Sequence, residues 1–448
     1  MTSAAYHSGT WYLARGDELR RIGDHADLAG ELADRRVRVE CRDHHALIEL
    51  AAFLADRAAK HGAPLPGVAV RGGVNGLEFC GVSWGRARVH TGRTMLSDKD
   101  GQKGAGPIPP GPERALWSER LGDLWRDAVR SLGLRVRASS GSTAAQILPD
   151  MWVRASKKLA QTEPWQDIRR AYYGGRVQLY QTYEGEAVEH DLNTAYGAGL
   201  AGHWGYLPDC ALYPNREPWC NQPAWADVTV EVQSDVAPLP YRVPERTWQV
   251  QWPRVGRWRA WYPWHELDAP GVTVCDIHRC HSGRWDYALE DRASALLARC
   301  SDGPFVRAVI KQLLVSLAGK LAQKPIAWAV WSGDESAPLP DVLHHFGTDS
   351  GLSLDLYPLS PRYYPPTYLP QVASYLTSKV RVELRREIAR AGSQAIYVDT
   401  DSIHTAGANG YCPLDSGPKP GQWSVKARGP ARYIARRYYF VGSKRVNC

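Results

Sequence analysis

No stretch of the 448-residue chain approaches 18 uninterrupted apolar positions. The longest runs, such as ALIELAAFLA from Ala46, are too short to cross a bilayer. The opening MTSAAYHSGTWYLARGDE lacks a basic segment followed by an apolar one, which argues against a secretory leader. These absences predict a soluble, cytoplasmic protein with no membrane partner. The nine cysteines are an odd number without framework spacing, so reduced thiols are the expectation. CDIHRCHS, with Cys275, His278, Cys280 and His281, has zinc-ligand types but not the usual paired spacing. The alternation in GVTVCDIHRC suits a strand instead. No internal repeat is visible.

What is present is globular. Hydrophobic residues make up 44% and charged residues 23%, and the length allows two to four domains. A formal charge of +8 leans modestly toward polyanionic partners such as nucleic acid. The 18 tryptophans are core material first, with base stacking open to a minority.

HALIELAAFLADRAAKHG from His45 has helical periodicity and a Gly62 cap. DKDGQKGAGPIPPGPE, Asp98 to Glu113, reads as a surface loop or linker. ERALWSERLGDLWRDAVRSLG is an amphipathic helix. IRRAYYGGRVQLYQTYEGEAVEHDLNTAYG reads as a helix end, a Gly-Gly break and two strands. SDGPFVRAVIKQLLVSLAGKLAQKP is the clearest helix, capped by Ser301 or Asp302, with Pro304 in its first turn and Pro325 ending it. LPQVASYLTSKVRVELRREIARAG is a second long helix, feeding directly into AIYVDTDSIHT.

That last stretch reads as a hairpin with Asp399 and Asp401 at its tip. Asx turns explain such residues, and so does a cation held between carboxylates. A further acid, Asp191, ends the strand VEHDL; alone it is an ordinary turn residue. Arg307 and Lys311 stand four apart, off the apolar face of their helix, and alone they are an ordinary solvated face. Together the parts are what nucleotidyl transfer requires. Carboxylates on neighbouring strands can hold two Mg²⁺ ions, and nearby cations neutralise a triphosphate.

In this order, DLNTAY, KQLLVSLAG and YVDTDS resemble motifs A, B and C of family B DNA polymerases. YYGG from Tyr172 resembles the Y-x-G-G connector of the protein-primed branch. TSKVR from Thr377, GRWRAWYPWHEL from Gly256 and RRY from Arg436 resemble further elements of that branch, RRY standing for K-x-Y. The resemblance covers about residues 125 to 440 and implies an α/β (α+β) fold: a palm with an antiparallel sheet, helical fingers, and a reduced N-terminal domain, exonuclease-like or unrelated. The implied layout is an N-terminal domain over 1–118, a connector over 119–185, palm over 186–300 and 367–448, and fingers with an insertion over 301–366.

Carried onto these positions, the resemblance makes Asp191 and Asp401 the main ligands of two Mg²⁺ (or Mn²⁺) ions, with Asp399 assisting and the Leu192 backbone completing a shell. Tyr196 becomes the gate that rejects a ribose 2′-hydroxyl. Lys311, with Arg307, holds the incoming triphosphate. Tyr172, Gly174, Gly175, Thr377 and Arg381 contact template or primer, and Arg436 and Tyr438 hold the primer end.

The chain departs from the pattern in four places. Val315 and Ala318 replace the Asn and Tyr of motif B, and Ala195 and Gly197 loosen motif A, which implies a less selective nucleotide site. No D-x-E occurs before residue 190, and VECRDHHALIEL only weakly resembles another exonuclease motif. About ten residues follow Tyr438, so a thumb is expected to be absent. After Asp415 no acid occurs, and Lys426, Arg428, Arg432, Arg436, Arg437, Lys444 and Arg445 accumulate among aromatics. That suits strand tracking, or equally a solvated strand edge. The expected activity is a DNA-directed or terminal nucleotidyltransferase that adds dNMPs to a 3′ or protein hydroxyl, without proofreading and with low processivity. Its partners are DNA (primer–template or single strand), dNTPs, and a terminal protein or second subunit in place of the thumb. The alternative is a degenerate polymerase serving as a nucleic-acid-binding scaffold.

Overall fold

A computed structural model describes residues 98–137, 140–159, 162–214, 222–243, 250–323, 367–407, 411–442 and 444–447 without a break. Elsewhere it describes the helices and strands and short flanking stretches. Two units emerge: residues 1–143, 299–313 and 324–364 form one, and 144–298, 314–323 and 365–448 the other.

The first unit contains a three-stranded antiparallel sheet, Ser3–His7, Thr10–Arg15 and Glu18–Gly23. It also has a four-stranded sheet in which Arg38–Cys41 runs parallel to Ala87–Thr91. The predicted helix from His45 spans His44–His61, and Gly62 follows in the left-handed region (φ 59°). That conformation suits a glycine beyond a helix C-terminus.

Only residues 106–110 of the glycine-rich stretch from Asp98 form the expected loop. Asp98–Ala105 is helical and packs on the helix Arg114–Ser131. A Cβ on Gly101 would lie 2.8 Å from the Trp117 and Leu121 side chains, and one on Gly104 would lie 2.5 Å from the Phe305 ring. The glycines that signal a loop are there to let the backbone approach large side chains. Asp43, within the weak exonuclease-like match, lies outside the described residues, as does Pro325.

The second unit is built on a seven-stranded antiparallel sheet. Its strands are β1 (Arg176–Leu179), β2 (Tyr183–Leu192), β3 (Ala395–Thr400), β4 (Ser402–Ala406), β5 (Trp423–Ala435), β6 (Tyr438–Val441) and β7 (Lys444–Asn447). Their spatial order is β7-β6-β5-β2-β4-β3-β1. The N-terminal half of β2 is exposed on alternate residues or more, and its second half is buried throughout, so only its Asp191 end is enclosed. A four-stranded antiparallel sheet accompanies it, in the order Leu207–Pro214, Val272–Asp286, Ala224–Gln233, Val255–Pro263.

CDIHRCHS lies in the strand Val272–Asp286, as its alternation predicts. His278 meets Thr229 at 2.8 Å, whereas the buried His281 meets Asp167 at 3.0 Å. Among the described residues no group of three His, Cys, Asp or Glu is arranged to hold a metal ion.

Three helices matter for the site: α1 (Ala195–Leu200), α2 (Pro304–Leu321) and α3 (Pro370–Ala391). The start of α2 differs from the expected cap. Ser301 and Asp302 lie in a preceding 3₁₀ turn, and the Gly303 carbonyl accepts from Arg307 N–H at 3.0 Å. α3 is buried along most of its length. Its charged residues are therefore paired. Arg381, 2% exposed, donates to both carboxylate oxygens of Glu266 (2.7 and 2.6 Å), itself 1% exposed. Arg385 donates to the Glu266 and Asp268 carbonyls, and the Lys379 ammonium donates to the carbonyls of Trp204, Gly205 and Tyr206.

Removing one partner of a buried, forked ion pair strands the other charge. Arg381→Met should therefore cost about 3–5 kcal/mol in denaturant unfolding. Combining it with Glu266→Leu should recover much of that loss.

Burial, followed by the charges of Lys379, Arg381 and Arg385, holds the His265 pKa down at about 3. Unfolded, the same imidazole protonates near 6.5. The unfolded chain thus binds the extra proton between those values, and stability falls as pH drops from 6.5 toward 3, by at most about 1.4 kcal/mol per pH unit. His265→Asn should flatten that part of the stability–pH curve, measured by urea midpoints across the window.

Candidate active site

The register of three adjacent strands aligns the aspartates. Asp399 on β3 faces Ser402 on β4, and Ser402 faces Asp191 on β2. Between Asp399 and Ser402 the chain reverses through Thr400 and Asp401. The Asp401 N–H donates to the Asp399 carbonyl at 2.6 Å, and Thr400 has φ 62°. This is a γ-turn of the positive-φ kind, which is rare and strained, more so for a β-branched residue. A residue held so costs about 1–3 kcal/mol, which surrounding contacts must hold in place.

Those contacts are visible. Leu192 N–H donates to the Asp401 carbonyl at 2.9 Å, tying the turn to the end of β2. The Asp399 carboxylate accepts from Thr400 Oγ1 (3.1 Å) and the Tyr397 hydroxyl (3.2 Å). On the other side stands Gly175, at the start of β1. A Cβ there would lie 2.7 Å from Thr400 Cγ2 and 3.1 Å from its Cα. Gly174, with φ 76°, gives its carbonyl to Arg381 at 2.6 Å. The Gly-Gly pair thus turns the chain and leaves room for Thr400.

The sequence-derived residues of this unit separate into groups. Asp191, Asp399, Asp401 and Leu192 are brought together. Tyr196, partly buried on α1, joins them: burial, then the Asp401 charge, the nearby Tyr172 hydroxyl and the Asp399 charge, push its hydroxyl far above the ordinary tyrosine range. Thr194 before it has φ 51°, and Gly197 admits the Leu314 and Thr194 side chains, which a Cβ would meet at 2.9 and 2.7 Å. Thr377 and Arg381 are buried; Thr377 bonds the Ala373 carbonyl within α3. Tyr172 gives its carbonyl to Arg242 at 2.7 Å.

Arg436 and Tyr438 flank the exposed β5–β6 turn, where Arg437 has φ 60°. Burial and the Arg437 charge lower the Arg436 pKa, while the Asp399 carboxylate opposes them. The Arg437 N–H donates to the Tyr397 hydroxyl at 3.2 Å, and that hydroxyl in turn donates to Asp399. Tyr438 is 48% exposed, but its neighbour Tyr439 is buried and stacks on Tyr433 at 5.0 Å. Arg307, Lys311 and Val315 form one exposed face of α2, with Ala318 partly buried beside it. The part of α2 through Leu313 counts with the first unit.

Two acid-site neighbours escaped the sequence reading. Lys426, counted there only with the basic tail, donates to Asp191 Oδ1 at 2.7 Å and lies 3.9 Å from Glu189. Glu189 is 1% exposed and two residues before Asp191, hence on the same side of β2. Period-two alternation could have flagged Glu189. Burial alone would lower the Lys426 pKa, yet Asp191, Glu189 and Asp401 raise it above the ordinary lysine value. Asp191 and Glu189 approach this ammonium and the Asp401 charge acts on it, and carboxylate oxygens are hard donors of the kind that Mg²⁺ or Mn²⁺ prefers.

No protein-family model and no curated protein sequence matches the chain. Solved structures do. Phi29 DNA polymerase complexed with primer-template DNA and incoming nucleotide substrates matches at TM-score 0.71 and 15% identity, over 98% of this chain and 86% of that one. The orthorhombic crystal form of the same enzyme matches at 0.69 and 14%, over 100% and 88%. The complex with single-stranded DNA matches at 0.67 and 13%, over 98% and 86%.

The chain shares the fold of Phi29 DNA polymerase. The expected α/β polymerase architecture with an antiparallel palm sheet is therefore what this sequence forms. At this identity the likeness to Phi29 DNA polymerase is one of fold.

The Gly175–Thr400 approach is directly testable. Gly175→Ala should lower unfolding stability by about 1–3 kcal/mol, the usual cost of overpacking. Adding Thr400→Gly, which removes the methyl and relaxes the positive φ, should restore part of it in urea titrations.

Proposed function

We propose that the chain is a nucleotidyltransferase of DNA-polymerase type, adding deoxynucleoside monophosphates to a 3′ or protein hydroxyl. The observation that carries this reading is the alignment of Asp191, Asp399 and Asp401 at one end of an antiparallel sheet, in a chain with the Phi29 DNA polymerase fold. In the reaction the acceptor oxygen bonds the α-phosphorus, the bond to the β-phosphate oxygen breaks, pyrophosphate leaves, and the acceptor proton passes to solvent.

Asp191 and Asp401, with the Leu192 backbone, would hold divalent cations, which would supply Lewis-acid stabilisation of the transferring phosphoryl group. Asp399 orients the turn, and its charge acts on Arg436. Tyr196, uncharged at neutral pH and beside the carboxylates, packs under the sugar and excludes a 2′-hydroxyl. Lys311 and Arg307 neutralise the triphosphate. The Val315 and Ala318 side chains give the base pair a small apolar floor and a permissive site.

DNA is the partner, a template–primer or a single strand. Supporting this are the +8 charge and the exposed Arg428, Arg432, Arg436 and Arg437 along β5 and its turn. Tyr172, Gly174 and Gly175 border the strand path with Arg436 and Tyr438; Arg381 acts by positioning the Gly-Gly turn, and Thr377 bonds within α3 beside it in sequence. The N-terminal residues lack the D-x-E of a proofreading exonuclease, so misincorporated nucleotides stay.

The test is incorporation of labelled dNTPs with Mg²⁺ or Mn²⁺, with and without primer–template, beside Asp401→Asn. Incorporation should fall by about two orders of magnitude or more in the variant, as when a charge-stabilising group is lost. Tyr196→Ala should admit ribonucleotides in the same assay. DNA binding without incorporation under any condition would overturn the enzyme and leave a nucleic-acid-binding scaffold.

A further inference from the structure

Two carboxylates of the site are packed where water screens them little. Glu189 is 1% exposed and Asp191 9%, two residues apart on one side of β2. Two such charges repel, and an uncompensated buried carboxylate is costly. The fold meets that cost with a side chain of its own. Ser424 on β5 faces Asp191 and Val425 faces His190, but it is Ala427, not Lys426, that faces Glu189. β5 thus carries one residue more than its partner. The bulge inserts Lys426 between the positions that oppose the two acids, and a bulge re-aims the inserted side chain. Its ammonium stands 2.7 Å from Asp191 and 3.9 Å from Glu189.

Lys426 differs from every group it neutralises. The acids are enclosed, while the lysine side chain is 47% exposed, on a flexible four-carbon stem with solvent beside it. It can leave Asp191 without unfolding anything, and the acids cannot follow it.

We propose that Lys426 is a resident counter-cation of this site: its ammonium occupies a coordination position on Asp191 and must be displaced before a divalent cation can take that oxygen. The inference rests on the reading of Asp191 and Asp401 as metal ligands. Lys426 keeps the acids together when no metal is bound, and it weakens metal affinity by the attraction that must be broken. It acts as a positioning residue, competing with the ion for one oxygen.

Binding of Mn²⁺ tests this without any turnover. Free Mn²⁺ is followed by its paramagnetic resonance signal during titration of wild type, Lys426→Met, Lys426→Gln, Lys426→Arg and Asp401→Asn. Lys426→Met should bind Mn²⁺ about tenfold more tightly, and Lys426→Gln likewise if the Met variant folds poorly. Lys426→Arg keeps the charge and should stay near wild type. Lys426→Met combined with Asp191→Asn should lose the gain. Manganese should also raise the melting temperature of Lys426→Met more than that of wild type, because tighter ligands stabilise more. If Lys426→Met and Lys426→Gln bind Mn²⁺ no better than wild type while Asp401→Asn binds worse, the counter-cation is refuted and the metal site stands. If no form of the chain binds Mn²⁺, both are refuted.

Discussion

The forked pair between Arg381 and Glu266 is the contact from which the rest of the site follows. Neither side chain reaches solvent, so each is committed to the other. The pair fastens α3 to the 3₁₀ turn after the strand Val255–Pro263, and the remaining Arg381 nitrogen holds the Gly174 carbonyl. Gly174 fixes Gly175, and Gly175 is the surface against which Thr400 closes. A buried ion pair is weak evidence of stability in general, because hydrophobic residues of like volume often do as well. Here its directionality matters more than its energy. A planar guanidinium can bind a carboxylate along one edge and a carbonyl with the nitrogen left over. An apolar replacement could fill the space but not orient the glycine turn.

A second line of support reaches the same turn from the β5–β6 connection. The Arg437 amide, the Tyr397 hydroxyl and the Asp399 carboxylate form a chain of hydrogen bonds from the β5–β6 turn to the aspartates. Behind it lies an aromatic cluster. Tyr397 packs on Tyr439 at 4.9 Å, and His404 bonds the Tyr433 hydroxyl at 2.8 Å. The tyrosine of YVDTDS therefore acts as a spacer of fixed length between the basic turn and Asp399. Its ring is clamped by packing and its hydroxyl is used at both ends.

Much of this was legible in the residues themselves. Asp191, Asp399 and Asp401 stand out because apolar strands lead into acids with no local reason to be there. The helices α2 and α3 are evident from their periodicity. Three things were not legible. The stretch after Asp98 reads as a loop because glycine is ambiguous: the same residue that permits a turn also permits a helix to touch Trp117 and Phe305 closely. The pairing of β1 with β3, rather than with its chain neighbour β2, is a long-range choice that no local pattern encodes. Lys426 was hidden because period-two counting assumes an unbroken register, and one inserted residue changes which side chain meets which. Bulges are written in the geometry of two strands, not in either one.

Among the described residues, four non-glycine positions have positive φ, and three of them, Thr194, Thr400 and Arg437, stand at the turns that surround the aspartates. Two of them are held from outside their own segment: Thr400 closes against Gly175, and Arg437 bonds Tyr397. The spacing of the carboxylates is consequently a property of the assembled sheet. A peptide carrying only Ala395–Ala406 would keep the letters of the motif and lose its shape. Grafting YVDTDS onto another hairpin would fail for the same reason unless the glycine pair and the second turn were carried with it. The portable unit of this chemistry is the set of three distorted turns, drawn from segments far apart in the chain.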